Sequence, residues 1–114
     1  MQEERKAKLL VLRSAPDASL VGLRSAAEMA RQGERVSLCL IQDGVLCALK
    51  GNQTPAAGLL GAALEAGVEL HYLEEDLAAR GFGGGDVRAE ARALGYGELV
   101  ELMLAEGRQV LGAF

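Results

Sequence analysis

Buried strands are predicted where apolar residues follow one another over a short distance. Segments 8–13 (KLLVLR) and 35–41 (RVSLCLI) are apolar at most positions, which is typical of parallel strands covered on both faces. Segment 68–73 (VELHYL) alternates instead, with Val68, Leu70 and Tyr72 on one side of the strand. We therefore predict three strands within one sheet.

Helices are predicted between and after these strands. Apolar residues at helical spacing, or helix-forming composition, indicate helices over 20–32, 56–66, 74–80 and 96–106. Segment 88–94 fits either a weak fourth strand or a turn of helix, and 109–114 fits a closing strand. This alternation predicts an α/β fold: a three-layer, doubly wound, mostly parallel sheet of four or five strands with helices on both faces.

Length and charge limit the classes of protein to which the chain can belong. Residues 8–114 are expected to form a single domain after a frayed, charged N-terminus at 1–7, because 114 residues is close to the commonest domain size. The net charge of −4 provides no broad basic face, so direct nucleic-acid binding is not expected. The first apolar run, 9–12, is too short for a signal or membrane segment, and we expect a cytoplasmic protein without membrane contact.

The candidate chemistry is limited to two cysteines and one histidine. Cys39 and Cys47 are eight positions apart without a CxxC motif, so neither a zinc cluster nor another cofactor is expected within one subunit. Cys47 is predicted in the first turns of a helix that follows a strand, where the helix dipole favours a thiolate; it is either a reactive sulfur or a small buried apolar residue. Cys39 is predicted to be buried within its strand. His71, near Glu69, is either a proton-transfer group or a packed imidazole.

Three candidate binding residues, Gln42, Asp43 and Gly44, follow the second strand at its carboxyl end, where α/β folds place their sites. Asp43 either caps a short helix predicted at 44–50 or forms a polar wall of a pocket. The glycine-rich segment 81–85 follows a predicted helix and lacks a Lys-Ser/Thr ending, so it does not favour nucleotide binding.

Three stretches, in the same order along the chain, are similar to parts of the DsrE/DsrF/DsrH sulfur-relay family. Residues 40–52 (LIQDGVLCALKGN) resemble the strand-turn-helix of TusB and DsrH proteins, and 71–82 (HYLEEDLAARGF) resemble a TusB strand that runs into its next helix. Residues 96–114 are similar to the last helix and strand of the family. The TusB/DsrH branch is favoured, although the first helix and 62–70 (AALEAGVEL) look more like YchN and DsrE.

This resemblance implies a DsrE-like fold and a role in intracellular sulfur transfer, serving tRNA 2-thiolation or sulfur oxidation. It implies self-association as a trimer or hexamer, or assembly with sister DsrE/DsrF-type subunits, and exchange of sulfur with a small carrier protein. In active family members a cysteine after the third strand carries a persulfide, whereas 73–79 contains no cysteine here. The chain is therefore expected to be an accessory subunit or to carry sulfur on Cys47.

Two other interpretations of the sequence stay open at this point. One is a structural homo-oligomer without sulfur chemistry. The other is a small-molecule-binding protein that uses a cleft near Asp43 and His71.

Overall fold

One five-stranded sheet organises the protein. The computed structural model describes residues 7–105 and 107–112. The strands are β1 (Ala7–Leu12), β2 (Arg35–Leu40), β3 (Glu69–Leu73), β4 (Ala91–Leu94) and β5 (Arg108–Leu111). They lie in the order β4-β3-β2-β1-β5, and each of the four pairings is parallel.

Helices cover both faces of this sheet. The α-helices are α1 (Leu20–Arg31), α2 (Pro55–Glu65), α3 (Glu74–Ala79) and α4 (Tyr96–Leu104). The chain adds β2, β3 and β4 successively on one side of β1, and it then returns through α4 to place β5 on the other side of β1. Because parallel crossovers are right-handed, this reversal puts α4 on the face opposite α1 and α2.

The two faces bury cores of different size. The larger core joins α1 and α2 to the sheet and is aliphatic, with Leu23, Leu38 and Leu60 fully buried at its centre. The smaller core lies under α4, where Leu99 packs with Leu9 and Cys39. The α/β class and the helices on both faces are thus confirmed.

Some predicted boundaries change. Ala7 belongs to β1 rather than to a frayed segment, and residues 1–6 lie outside the described residues. Segment 88–94 contains a strand, β4. The closing strand begins at Arg108, while 113–114 lie outside the described residues. Among the described residues, the helices are all too short or too polar to cross a membrane.

Candidate functional site

A hydrogen-bonded group of polar side chains lies where β2 and β3 end, and we call Gln42, Asp43, Asp76, Arg80 and Tyr96 the carboxyl-edge cluster. The backbone N–H of Gln42 donates to Asp76 Oδ2 at 2.6 Å, and Tyr96 Oη donates to Asp76 Oδ1 at 3.4 Å. Arg80 Nε donates to Asp43 Oδ1 at 2.9 Å, and Arg80 Nη1 donates to the carbonyl oxygen of Asp76 at 2.9 Å. The cluster therefore ties the turn after β2 to α3 and to the start of α4.

The turn after β2 is a tight 3-10 helix, Gln42–Ala48, rather than the α-helix predicted at 44–50. Gln42 has a φ of 49°, in the left-handed region that non-glycine residues rarely adopt. Gly44 approaches β1 closely: a Cβ there would overlap the Leu12 carbonyl oxygen and lie 2.9 Å from its carbonyl carbon. Gly44 thus lets the turn pack against the end of β1.

The predicted binding residues therefore divide into different roles. Asp43 does not cap the helix, since its carboxylate accepts from Arg80. Gln42 contributes its backbone amide to the cluster, and Gly44 contributes its small size. What the cluster offers chemically is an anchored guanidinium, two carboxylates and a phenol. Repulsion from the Asp76 carboxylate raises the pKa of Tyr96, so this hydroxyl stays protonated at neutral pH.

Of the two interpretations of Cys47, the structure agrees with the small buried apolar residue and not with the accessible, partly ionised thiol. Its side chain is buried in the larger core, with 1% of the residue exposed. Burial raises the pKa of Cys47, and the neighbouring Ser19 hydroxyl only partly offsets this. The helix-dipole argument was wrong here because Cys47 lies near the end of a 3-10 helix instead of in the first turns of an α-helix.

Cys39 is buried in the smaller core, in agreement with its prediction. Burial, with a smaller contribution from Asp76, raises the pKa of Cys39 to about 12. Neither thiol therefore has the ionisation that a sulfur nucleophile needs at neutral pH.

His71 lies away from the carboxyl-edge cluster. It is in the middle of β3, paired in register with Cys39 of β2 and Arg92 of β4, and its side chain is 13% exposed. It lines a cavity beside the amino ends of β3 and β4, together with Arg88 and Arg92. Asp43 lies at the opposite end of the sheet. Asp43 and His71 therefore do not share the single cleft that one interpretation of the sequence required.

The stability of the fold should depend on pH through His71. Burial lowers its pKa, and this outweighs the opposing effect of Glu69. The unfolded chain therefore binds the proton more readily, so the stabilisation is complete above about pH 6.5 and is lost as pH falls towards the folded-state pKa. We expect the midpoint temperature to fall on acidification from neutral pH, because the free energy of unfolding decreases by at most about 1.4 kcal/mol per pH unit. Thermal unfolding of wild type and His71→Gln should show a flatter profile for the variant, and parallel profiles would contradict the assignment.

Three members of the carboxyl-edge cluster were not found from the sequence. Arg80 is 37 positions from Asp43, so no local sequence pattern predicts that the two side chains pair. Asp76 stands in an acidic helix start, Glu74, Glu75 and Asp76, for which ordinary solvation is a sufficient explanation. The parallel sheet brings these residues together, because successive strands end at the same edge.

The chain is similar to known proteins in both sequence and fold. The model of the DsrH-like protein family matches residues 17–109. The YchN protein from E. coli superposes with a TM-score of 0.81 at 20% identity, covering 97% of this chain and 100% of that one. MTH1491, a protein of unknown function from Methanobacterium thermoautotrophicum, superposes with a TM-score of 0.76 at 15% identity, covering 95% and 98%.

A third solved structure, the conserved protein of unknown function BT1422 from Bacteroides thetaiotaomicron, has a TM-score of 0.68 at 16% identity and covers 94% of each chain. No curated protein matches the chain in sequence. At these identities the structural matches establish the fold alone. The match to the family model is the evidence for family membership.

Proposed function

The chain belongs to the DsrH-like family, and from this we propose that it is an accessory subunit of a sulfur-relay assembly that does not itself carry sulfur. In this role it would assemble with its own copies or with DsrE/DsrF-type sister subunits, and a sister subunit would hold the persulfide. The accessory role distinguishes this proposal from a persulfide carrier on Cys47.

Burial of both thiols is the observation that carries the proposal. A persulfide carrier must expose its sulfur to a donor and then to an acceptor, and it reacts as the thiolate. Cys39 is 0% exposed and Cys47 is 1% exposed, with the pKa of each raised by burial. The segment after β3, where the family resemblance implies a carrier cysteine, has Glu74, Glu75 and Asp76 at the start of α3 instead.

An exposed apolar face of α4 supports a role in assembly. Leu99 and Leu102 pack on the smaller core, and an adjoining side of the helix carries a second apolar row, the α4 outer stripe. Its members are exposed and lie at helical spacing: Tyr96, Val100, Met103 and Leu104. A contiguous exposed apolar patch of this kind marks an interaction surface.

Exposure of the native protein to polysulfide tests the proposal. We expect the intact mass of the reduced, folded wild type to stay unchanged, because neither buried thiolate forms in appreciable amount. Glu75→Cys is the matched positive control, since it puts an exposed thiol in the first turn of α3. This variant should gain whole sulfur atoms under the same conditions.

Sulfur loading of folded wild type would overturn the accessory role. If that gain disappeared in Cys47→Ser while the variant kept its native circular dichroism, Cys47 would be a carrier. Wild type unfolded in denaturant should load on both thiols, which shows that protection comes from the fold.

A further inference from the structure

The helices α3 and α4 carry acidic residues but no basic residue. These acidic residues are Glu74, Glu75 and Asp76 in α3 and Glu98 and Glu101 in α4. The rest of the chain is nearly balanced, because eleven of the sixteen acidic residues then remain against twelve basic ones. The negative charge of the protein is therefore concentrated on these two helices, beside the α4 outer stripe.

Two of the carboxylates border the stripe directly. Glu101 is three positions before Leu104, so the two side chains share one side of α4. At the start of the helix, Glu75 Oε1 lies 3.6 Å from the position of a Cβ built at Gly95, the residue before Tyr96. Glu75 and Glu101 are both exposed, and neither forms an ion pair within residues 7–105 and 107–112. The stripe is thus an apolar surface with a negative border.

The nearby cations do not neutralise this border. Arg80 is already paired, with Nε 2.9 Å from Asp43 Oδ1. Arg92 and Arg108 are on the same face of the sheet as α4, but they lie near the amino ends of β4 and β5, away from Tyr96 and Glu75. A partner that approaches the start of α4 therefore meets uncompensated carboxylates.

A second copy of this chain does not fit this surface in a symmetric contact. In a two-fold dimer the same patch of both subunits meets itself, so one negative border would face another. Two like charges 4 Å apart repel by about 1 kcal/mol even in bulk water, and by more near a protein surface. The charge distribution thus disfavours pairing of two α4 outer stripes.

A head-to-tail contact between copies would need a second apolar surface with a positive border. Outside α4, the large exposed apolar residues of the described part are Val21, Phe82 and Val110, which lie on three different elements. One apolar cavity, of about 570 Å³, includes Phe82, but both Lys50 and Asp86 line it, so its border has no excess of positive charge. The described residues thus provide no surface of this chain that complements the stripe.

We propose that the α4 outer stripe and its acidic border bind a different polypeptide, whose contact surface has exposed apolar residues bordered by lysine or arginine side chains. This inference rests on the accessory role and gives the chemistry of the sister subunit which that role requires. Burial of the stripe supplies affinity, and the carboxylates speed association and select against partners with acidic borders.

Binding to purified DsrE- and DsrF-type proteins of the source organism, measured by calorimetry over a range of salt concentrations, tests the inference. Wild-type affinity should fall at least about tenfold between roughly 50 and 500 mM NaCl, because salt screens charges at an interface border. The double variant Glu75→Gln, Glu101→Gln should bind about fivefold or more weakly at low salt and respond less to salt.

Glu28→Gln, Glu65→Gln is the matched control, since it removes the same number of charges from exposed positions on α1 and α2. This control should bind as wild type does. Equal binding by the two double variants would overturn the inference and leave the accessory role intact. So would a wild type that, alone, forms an oligomer which Val100→Lys, Leu104→Lys dissociates, because the stripe would then bind a second copy. A wild type that binds none of the sister subunits would overturn the accessory role and this inference with it.

Discussion

The Gly44→Ala variant is expected to unfold at a markedly lower temperature than the wild type. The added methyl group would overlap the carbonyl oxygen of Leu12 and would lie 3.4 Å from the Cα of Arg13. Relief by moving the strand end is opposed by the Leu12 carbonyl, which accepts from the Ile41 N–H at 2.8 Å. Overpacking of this kind costs about 1–3 kcal/mol, which corresponds to roughly 4–15 °C in Tm for a domain of this size.

Gly51→Ala provides the control for glycine replacement itself. No atom lies within 4 Å of a Cβ built at Gly51, and its φ is not in the left-handed region. This substitution should be neutral or stabilise by a few tenths of a kcal/mol, through the lower entropy of the unfolded chain. Equal melting temperatures for Gly44→Ala and wild type in differential scanning calorimetry would show that the turn after β2 shifts freely.

The layered fold was predictable because a strand that is buried on both faces is apolar at nearly every position. β2 is buried at five of its six positions, and that pattern is what the run RVSLCLI indicated. β4 was ambiguous for the converse reason. It is an edge strand with exposed Arg92 and Ala93, so the sheet rather than local propensity decides its conformation.

The candidate site was less predictable, because it depends on distances between strand ends. The sequence placed Gln42, Asp43 and Gly44 correctly at the carboxyl end of β2, but the side-chain partner of Asp43 comes from α3. The choice between a 3-10 and an α-helix at 42–48 also had no clear sequence signal, and the argument for a reactive Cys47 depended on the α-helix. In the observed 3-10 helix the Cys47 thiol packs inward, as its burial in the larger core shows.

Assembly through the α4 outer stripe gives the second large expected effect. We expect the wild type to form a trimer or hexamer, or to join DsrE/DsrF-type sister subunits, and the double variant Val100→Lys, Leu104→Lys to lose that association. The two side chains are 53% and 77% exposed in the single chain, so each can bury substantial apolar area in a contact. Burying one such side chain contributes roughly 1.5–3 kcal/mol, and losing two predicts an affinity lower by more than about 100-fold.

Val21→Lys is the matched control, because Val21 is 67% exposed on α1, across the sheet from α4. Native mass spectrometry and light scattering should give an oligomer for wild type and Val21→Lys, and the 11.9 kDa monomer for the double variant. Circular dichroism would verify that the double variant is folded. An unchanged oligomer in the double variant would place the interface on another surface. A wild type that is monomeric at high concentration, alone and with co-expressed sister subunits, would contradict the accessory role itself, since that role depends on a subunit contact.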